Sequence, residues 1–290
     1  MNRPLQYLAS VVLTLLLVFT LAGSVVLGIV KYRALDADTC NRILAEKNLD
    51  VRVLENLTAY YTEQVNTSGI PVSVYTESLS VEQIHGIIEQ SIRNAFAYLH
   101  GKQDTVAVEA DFSKLEQNLT AFFEQYADEN GYQKDKAYEK SLQKAIENAK
   151  TNVLTTADVF RFSTLHEAKV LKKLRPYVPW VSRGFVLCLM ASVVLLALLA
   201  AVHRKALKQL LYWAASAVCT ASLLMTVPAA VIHFTRWFDR FAVKSDQIFT
   251  AVTGYLYDMT GAVIIAGVIG FILAAGMWIA FGLLNRKPAA

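Results

Sequence analysis

Residues 184–202 read GFVLCLMASVVLLALLAAV and contain no Asp, Glu, Lys, Arg or His. An α-helix needs roughly 20 consecutive apolar residues to cross the hydrocarbon core of a bilayer, and buried helices of soluble proteins seldom stay uncharged for so long. The stretch therefore predicts a membrane-spanning helix, which the flanking apolar residues extend to about 181–202.

Three further runs of the same kind lie at 5–30, 210–232 and 259–284. Across the chain 54% of residues are hydrophobic and 18% are charged, whereas a typical soluble domain has roughly 45–50% and about 25%. We therefore predict an all-α protein with four transmembrane helices. The first helix takes up 1–30, and the other three form a membrane domain at 181–290.

The first run also has features of a signal peptide, because Ala22-Gly23-Ser24 resembles a cleavage site. Signal-peptide apolar regions are roughly 7–15 residues long, whereas this run continues through Val30. An uncleaved membrane anchor is therefore favoured.

Residues 31–180 have a different composition, with 18 Lys and Arg residues against 21 Asp and Glu residues. They predict a water-soluble, mostly helical domain inserted between the first and second transmembrane helices. Only Ile70–Tyr75 and Thr105–Val108 look extended, so at most one small pair of strands is expected. Cys40 is the only cysteine of the domain, which therefore has no internal disulfide.

Several helix boundaries are visible within this domain. Ser80-Val81-Glu82-Gln83 is a capping box that opens a helix ended by Gly101, and Asp111 is expected to cap the next helix. Thr164-Leu165-His166-Glu167 is a second capping box. The helix that starts at Ser80 and the helix that starts near Asp111 each carry an apolar stripe. Each stripe is interpreted as part of the domain core, and a partner-binding groove is the alternative. The stripes are Ile84, Ile87, Ile88, Ile92, Ala95, Phe96 and Leu99, and Phe112, Leu115, Leu119, Phe122 and Tyr126.

The segment 233–258 carries aromatic residues at helical spacing, with basic residues mostly on other faces. This pattern is typical of an amphipathic helix that lies in the membrane interface. A plain loop with scattered aromatic residues is the alternative. The candidate interface residues are Trp237, Phe238, Phe241, Arg236 and Arg240.

Small residues recur at four-residue spacing in the fourth run, at Ala266, Gly270 and Ala274. Such spacing lets helix backbones approach closely in lipid. We therefore predict helix packing at this stripe, although small residues are also simply common in membrane helices.

Basic residues in short loops predict the orientation. Arg204, Lys205 and Lys208 lie between the second and third runs, and no acidic residue accompanies them. With four spans, the basic residues at both ends of the chain fall on the same side. Positive loops favour the cytoplasm, so we expect a plasma-membrane protein with cytoplasmic N- and C-termini and an extracytoplasmic domain. The three residues are also a candidate contact for a cytoplasmic partner.

Recognisable catalytic motifs are missing from the sequence, since it contains no HExxH, GxSxG, P-loop, CxxC or GxGxxG. The four runs also lack the ionisable groups that ion pumps and proton-coupled carriers place in the membrane. We predict no catalytic residues, no cofactor, no metal site and no enzymatic activity. Nucleic-acid binding is disfavoured because no basic stripe with interleaved aromatics occurs. A membrane-embedded enzyme would depend on Arg183, His233, Arg236 and Asp258.

The order of one span, a large outer domain and three closely spaced spans resembles that of FtsX-like and MacB-like permeases. Those families transmit motion between a cytoplasmic ATPase and an outer domain, so the resemblance implies a mechanotransmission subunit of an ABC-type complex. The sequence pattern of the domain is also similar to that of uncharacterised multi-pass membrane proteins of Gram-positive bacteria. The similarity is carried by Asp36–Leu44, Ser80–Lys102 and Asp111–Asn130, and it implies no activity.

Two functional hypotheses follow. The first is a non-enzymatic membrane protein whose outer helical domain binds a partner or envelope component. The second is the mechanotransmission subunit. The expected partners are the lipid bilayer and another membrane or envelope protein.

Overall fold

The computed structural model describes residues 3–204, 206 and 208–285, and no strand occurs among them. The chain divides into two compact units. The span unit comprises Met1–Asp36, Pro176–Phe241 and Tyr255–Ala290, and the domain unit comprises Ala37–Arg175 and Ala242–Gly254.

The described residues form twelve α-helices, supplemented by a π-helical turn at Val30–Ala34 and two short 3-10 turns. The α-helices are α1 Arg3–Ile29, α2 Ala37–Glu46, α3 Leu49–Ser68, α4 Val72–Thr76, α5 Val81–Leu99, α6 Ser113–Asn130, α7 Lys136–Ala157, α8 Phe162–Glu167, α9 Val170–Leu174, α10 Val178–Val202, α11 Lys208–Phe234 and α12 Asp246–Asn285.

Four helical stretches are long and apolar enough to cross a membrane, which confirms the predicted number of candidate spans. They are Pro4–Ala34, Val170–Val202, Lys208–Phe234 and Asp246–Asn285. The helix of the fourth span, α12, begins at Asp246, well before the predicted start of the span at 259. The polar residues that precede 259 continue the same helix.

Helix α1 packs against both α10 and α11 in the span unit. A Cβ atom on Gly28 would lie 3.2 Å from the Phe185 ring of α10, and the Ser192 hydroxyl donates a 2.9 Å hydrogen bond to Thr20 Oγ1. Small residues at such contacts bring helix backbones together in a medium that offers no hydrophobic driving force between helices. On its other side α1 forms a buried cluster with α11, made of Leu17, Val18, Ala22, Ala217 and Ala221.

Helix α12 approaches α11 closely at two glycines. Cβ atoms on Gly267 and Gly270 would collide with the Thr226 and Ser222 hydroxyl groups. Gly270 therefore lies at a helix contact, and Ala274 is fully buried. Gly267, which the sequence pattern missed, is buried, whereas Ala266 is only half-buried.

Replacing Gly270 with valine is expected to lower the free energy of unfolding by about 1–3 kcal/mol, because the added methyl groups would force α11 and α12 apart. The measurement is the thermal unfolding midpoint of the full-length protein in detergent. Gly276→Val is the matched control, since nothing lies within 4 Å of a Cβ there. Equal midpoints for the two variants would contradict the close approach at Gly270.

Helix α5 lies at the core of the domain unit, and all seven residues of its predicted stripe are buried. The capping box is confirmed, since Ser80 Oγ accepts the N–H of Gln83 at 3.1 Å, and Gly101 ends the helix with a φ of 74°. Asp111 is not the predicted cap residue, because the cap position of α6 is Phe112. The Asp111 carboxylate nevertheless accepts the N–H of Ser113, the first residue of the helix, at 2.9 Å.

The two predicted extended segments do not form strands. Ile70–Tyr75 is wrong as a strand, because the helical residues of α4 begin directly after Pro71, whose fixed φ suits a helix start. The helical turn stacks Tyr75 on Tyr61, with ring centroids 3.8 Å apart, and burial raises the pKa of the Tyr75 hydroxyl. Thr105–Val108 lies outside the helices and pairs with no strand among the described residues.

The predicted capping box at Thr164 is also wrong, since α8 begins two residues earlier, at Phe162. The buried Asp158 carboxylate supplies the cap, accepting the N–H groups of Phe162 and Ser163 at 2.8 and 3.0 Å. A carboxylate placed before the helix satisfies two free N–H groups at once, which the Thr164 hydroxyl cannot do from within the helix.

The segment 233–258 is not a single amphipathic helix as predicted. Helix α11 ends at Phe234, a 3-10 turn covers Trp237–Arg240, and α12 begins at Asp246. Arg236 adopts a left-handed φ of 49° and Phe241 is extended, which interrupts the helix on both sides of the turn. The aromatic residues therefore belong to three separate elements.

Candidate functional site

An exposed group of stacked rings lies at the end of α6, and we call Phe122, Tyr126 and Tyr132 the aromatic shelf. The rings of Tyr126 and Tyr132 are 6.0 Å apart with an angle of 16° between their planes, and Phe122 continues the stack at 6.1 Å. Tyr126 and Tyr132 are 50% and 61% exposed. The shelf thus presents two tyrosine rings to solvent in a fixed geometry.

The shelf depends on how α6 ends. Gly131 has a φ of 70°, a left-handed conformation that glycine adopts without steric cost. This reversal lets the N–H of Tyr132 donate to the carbonyl of Ala127 at 2.9 Å, a helix-ending hydrogen bond. The Tyr132 ring is thereby returned alongside Tyr126.

A cavity of about 400 Å³ adjoins the shelf between the end of α6 and the start of α7. Its lining includes Tyr126, Tyr132, Tyr138 and Phe123, and Phe123 packs edge-on against Tyr138 at 6.3 Å. The Tyr138 hydroxyl is buried and has no hydrogen-bond partner among the described residues. Buried polar groups in proteins are nearly always hydrogen-bonded, so this hydroxyl is available to a ligand that enters the cavity.

Acidic residues predominate around the shelf. Glu124, Asp128 and Glu129 lie on α6 next to the rings. Lys134 pairs with Asp128 at 2.9 Å, and the hydrogen bond to that carboxylate raises the pKa of the lysine. The surroundings therefore favour a neutral or basic ligand over an acidic one.

The stripe on α6 divides between core and surface. Leu115 and Leu119 are fully buried, which confirms the core interpretation for the first half of the helix. Phe122 is half-buried and Tyr126 exposed, so the second half matches the alternative of a partner-binding surface. Sequence reasoning missed Tyr132 and Tyr138, and the available signal was a glycine followed directly by tyrosine at the end of a helix.

The residues proposed for a membrane-embedded enzyme have separate partners. Asp258 accepts from the Arg33 guanidinium at 3.3 Å, His233 Nδ1 lies 3.1 Å from Thr260 Oγ1, and Arg183 lies over the Trp180 ring at 5.3 Å. Each of these contacts joins a different pair of side chains.

The candidate interface residues form a compact aromatic turn within the span unit. Phe238 packs against Phe241 and Tyr257 with centroids 5.7 and 5.2 Å apart, whereas Trp237 is half exposed under the Arg240 guanidinium, 5.1 Å above its ring. An aromatic ring capped by a cation suits a membrane–water boundary. Arg236 is the left-handed residue that precedes the turn.

The candidate cytoplasmic contact is only partly described. Arg204 and Lys208 are exposed, while Lys205 lies outside the described residues.

In the domain unit, His85 Nδ1 lies 2.8 Å from Asp50 Oδ2 and links α5 to α3. Among the described residues, no group of three or more His, Cys, Asp or Glu side chains is arranged to hold a metal ion.

The chain was compared with known protein families, curated proteins and solved structures. No protein-family model matches the chain, and neither does any curated protein or solved structure.

Proposed function

We propose that this chain is a non-enzymatic plasma-membrane protein whose domain lies outside the cytoplasm and binds a partner or envelope component through the aromatic shelf. The observation that carries the proposal is the pair of exposed, mutually stacked rings of Tyr126 and Tyr132 beside an open cavity. The four apolar helices support the membrane location.

Exposed tyrosines are typical of binding surfaces because each offers a large rigid ring together with a polar hydroxyl. Tyrosine is enriched at protein interfaces, and it loses little conformational freedom when it is covered. The ring faces of the shelf suit proline-rich or carbohydrate surfaces equally, and the acidic surroundings disfavour strongly acidic polymers.

Photo-crosslinking in intact cells tests this proposal. A photoreactive phenylalanine at position 132 is expected to give an adduct, which protease or glycosidase digestion then identifies as protein or glycan. The same residue at position 60, an exposed tyrosine of the domain, is the control. Adducts of equal yield and identity at both positions would count against a site at the shelf.

The orientation rests on the basic turn around Arg204 and Lys208 and on the positive-inside rule. A reporter fused after Arg286, which lies outside the described residues, is expected to be active in the cytoplasm. Activity of that reporter outside the cell would overturn the assignment of the domain to the extracytoplasmic side.

Helix α12 favours a second candidate, mechanotransmission in an ABC-type complex. Its first residues belong to the domain unit and its remainder to the span unit, without a break from Asp246 to Asn285. Within the domain unit, Arg52 pairs with Asp246 at 2.6 Å and Asn56 donates to Gln247 at 2.8 Å. These contacts would pass a displacement of α3 to the first turn of α12.

Co-purification tests this second candidate. An ATP-binding subunit should be retained by the full-length protein and lost when Arg204, Lys205 and Lys208 are replaced together with alanine. Retention of the subunit by this variant would rule out the basic turn as its docking point.

A further inference from the structure

A second cavity, of about 360 Å³, lies within the span unit. Helix α1 contributes Gln6 and Tyr7 to its lining, the turn after α10 contributes His203, and the first turns of α11 contribute Gln209 and Trp213. Ligand sites typically have this size and combine aromatic walls with a few polar groups.

The rear wall of the cavity is a closed network of hydrogen bonds. His203 is 3% exposed, and its Nε2 lies 2.8 Å from Ser10 Oγ. The Ser10 hydroxyl also lies 2.8 Å from the carbonyl of Gln6, to which it donates. The Gln6 amide donates to the carbonyl of Val202 at 3.0 Å and faces His203 Nδ1 at 3.4 Å. These groups satisfy one another and fix the wall.

Four other residues that line the cavity carry hydrogen-bond donors. None of these donors has a hydrogen-bond partner among the residues that the structure describes. They are the hydroxyls of Tyr7 and Tyr212, the side-chain amide of Gln209 and the indole N–H of Trp213. Ring contacts hold Trp213 in place, since Tyr7 and Tyr212 pack edge-on against it at 5.6 and 5.7 Å. Several donors on residues that line one cavity suit a ligand rich in acceptor oxygens.

The charge around this cavity has one sign. No Asp or Glu occurs in residues 3–35, 176–238 or 259–285, which supply its walls. Arg204 follows His203 directly, and Lys208 directly precedes Gln209, and both side chains are exposed. An anion therefore meets positive charge and free donors here, with no carboxylate to repel it.

We propose that this cavity binds the phosphate group of an anionic phospholipid. The donors from Trp213, Gln209 and Tyr7 hold the phosphate oxygens, and Arg204 and Lys208 supply the charge that selects an anionic headgroup. A lipid fits better than free phosphate because Val11 and Leu15 follow Tyr7 at intervals of about one turn of α1 and are 38% and 55% exposed, which offers an apolar surface for the acyl chains.

Native mass spectrometry of the full-length protein in detergent tests this proposal, with phosphatidylglycerol or phosphatidylcholine added at equal concentration. Phosphatidylglycerol is expected to bind about tenfold more tightly. Trp213→Phe, which keeps the ring and removes the N–H, should weaken its binding about fivefold, as should Tyr7→Phe. Trp278→Phe is the matched control, because Trp278 of α12 does not line the cavity.

Three outcomes would overturn the proposal. Equal binding of the two lipids would remove the charge selectivity. Equal affinities of Trp213→Phe, Tyr7→Phe and Trp278→Phe would place the lipid elsewhere on the protein. Displacement of phosphatidylglycerol by millimolar inorganic phosphate would show that the cavity takes free phosphate instead.

Discussion

Replacing Tyr126 and Tyr132 together with alanine is expected to weaken binding of the shelf's partner by about a hundredfold or more. The two rings stack on each other and are at least half exposed, so together they offer a partner one continuous ring surface. Truncation removes that surface and widens the adjoining cavity, while the buried half of α6 is left intact. The measurement is a titration of the full-length protein in nanodiscs against the partner recovered by crosslinking at position 132.

Phenylalanine replacements separate the ring faces from the hydroxyl groups. Tyr126→Phe with Tyr132→Phe is expected to bind within a few-fold of the natural protein, because the stack survives. Tyr60→Ala controls for loss of an exposed tyrosine elsewhere in the domain. A double alanine variant that binds like the Tyr60 variant would contradict a binding role for the shelf, whereas a loss in the phenylalanine pair would assign the binding to the hydroxyls.

Long apolar runs and periodic stripes could be predicted from the sequence because their causes are local. A run such as 184–202 has no alternative to lipid or a large core, and the stripe from Ile84 to Leu99 repeats at the helical period. Ser80 caps its helix through a backbone N–H three residues away. None of these features depends on contacts with distant parts of the chain.

The errors fall where helix boundaries depend on competing partners. Thr164 looks like a cap, but Asp158 reaches the same helix start with two carboxylate oxygens. Aromatic spacing suggested one helix over 233–258, but the left-handed backbone at Arg236 ends the pattern. Polar residues such as Asp246 and Gln247 obscured the early start of α12, because their partners lie on α3.

The candidate sites were the least predictable features. The shelf needs Tyr132, which lies beyond the end of α6 and is placed by the left-handed backbone of Gly131. The lipid cavity needs Ser10 and His203, which are far apart in the sequence and meet only when α1 packs beside α10. A serine and a histidine without motif spacing give no signal in a single sequence, so the lipid cavity emerges from tertiary packing.

Leu119→Ala is expected to destabilise the domain by about 2–5 kcal/mol. Leu119 is fully buried, and α6 is further joined to α7 by the ion pair of Glu116 with Lys150. Removing the buried side chain forfeits its transfer free energy and leaves a cavity that rigid neighbours cannot fill. Because Cys40 of the domain is only 1% exposed, its reaction with a thiol reagent reports opening of the domain.

With Cys188 and Cys219 replaced by alanine, the labelling rate of Cys40 in Leu119→Ala should rise at least about thirtyfold. Leu174→Ala is the matched control, since Leu174 is 49% exposed and its loss should change stability by no more than about 0.5 kcal/mol. Equal labelling rates in the two leucine variants would mean that α6 is not part of the domain core, and the aromatic shelf would then lose the rigid base on which its binding role depends.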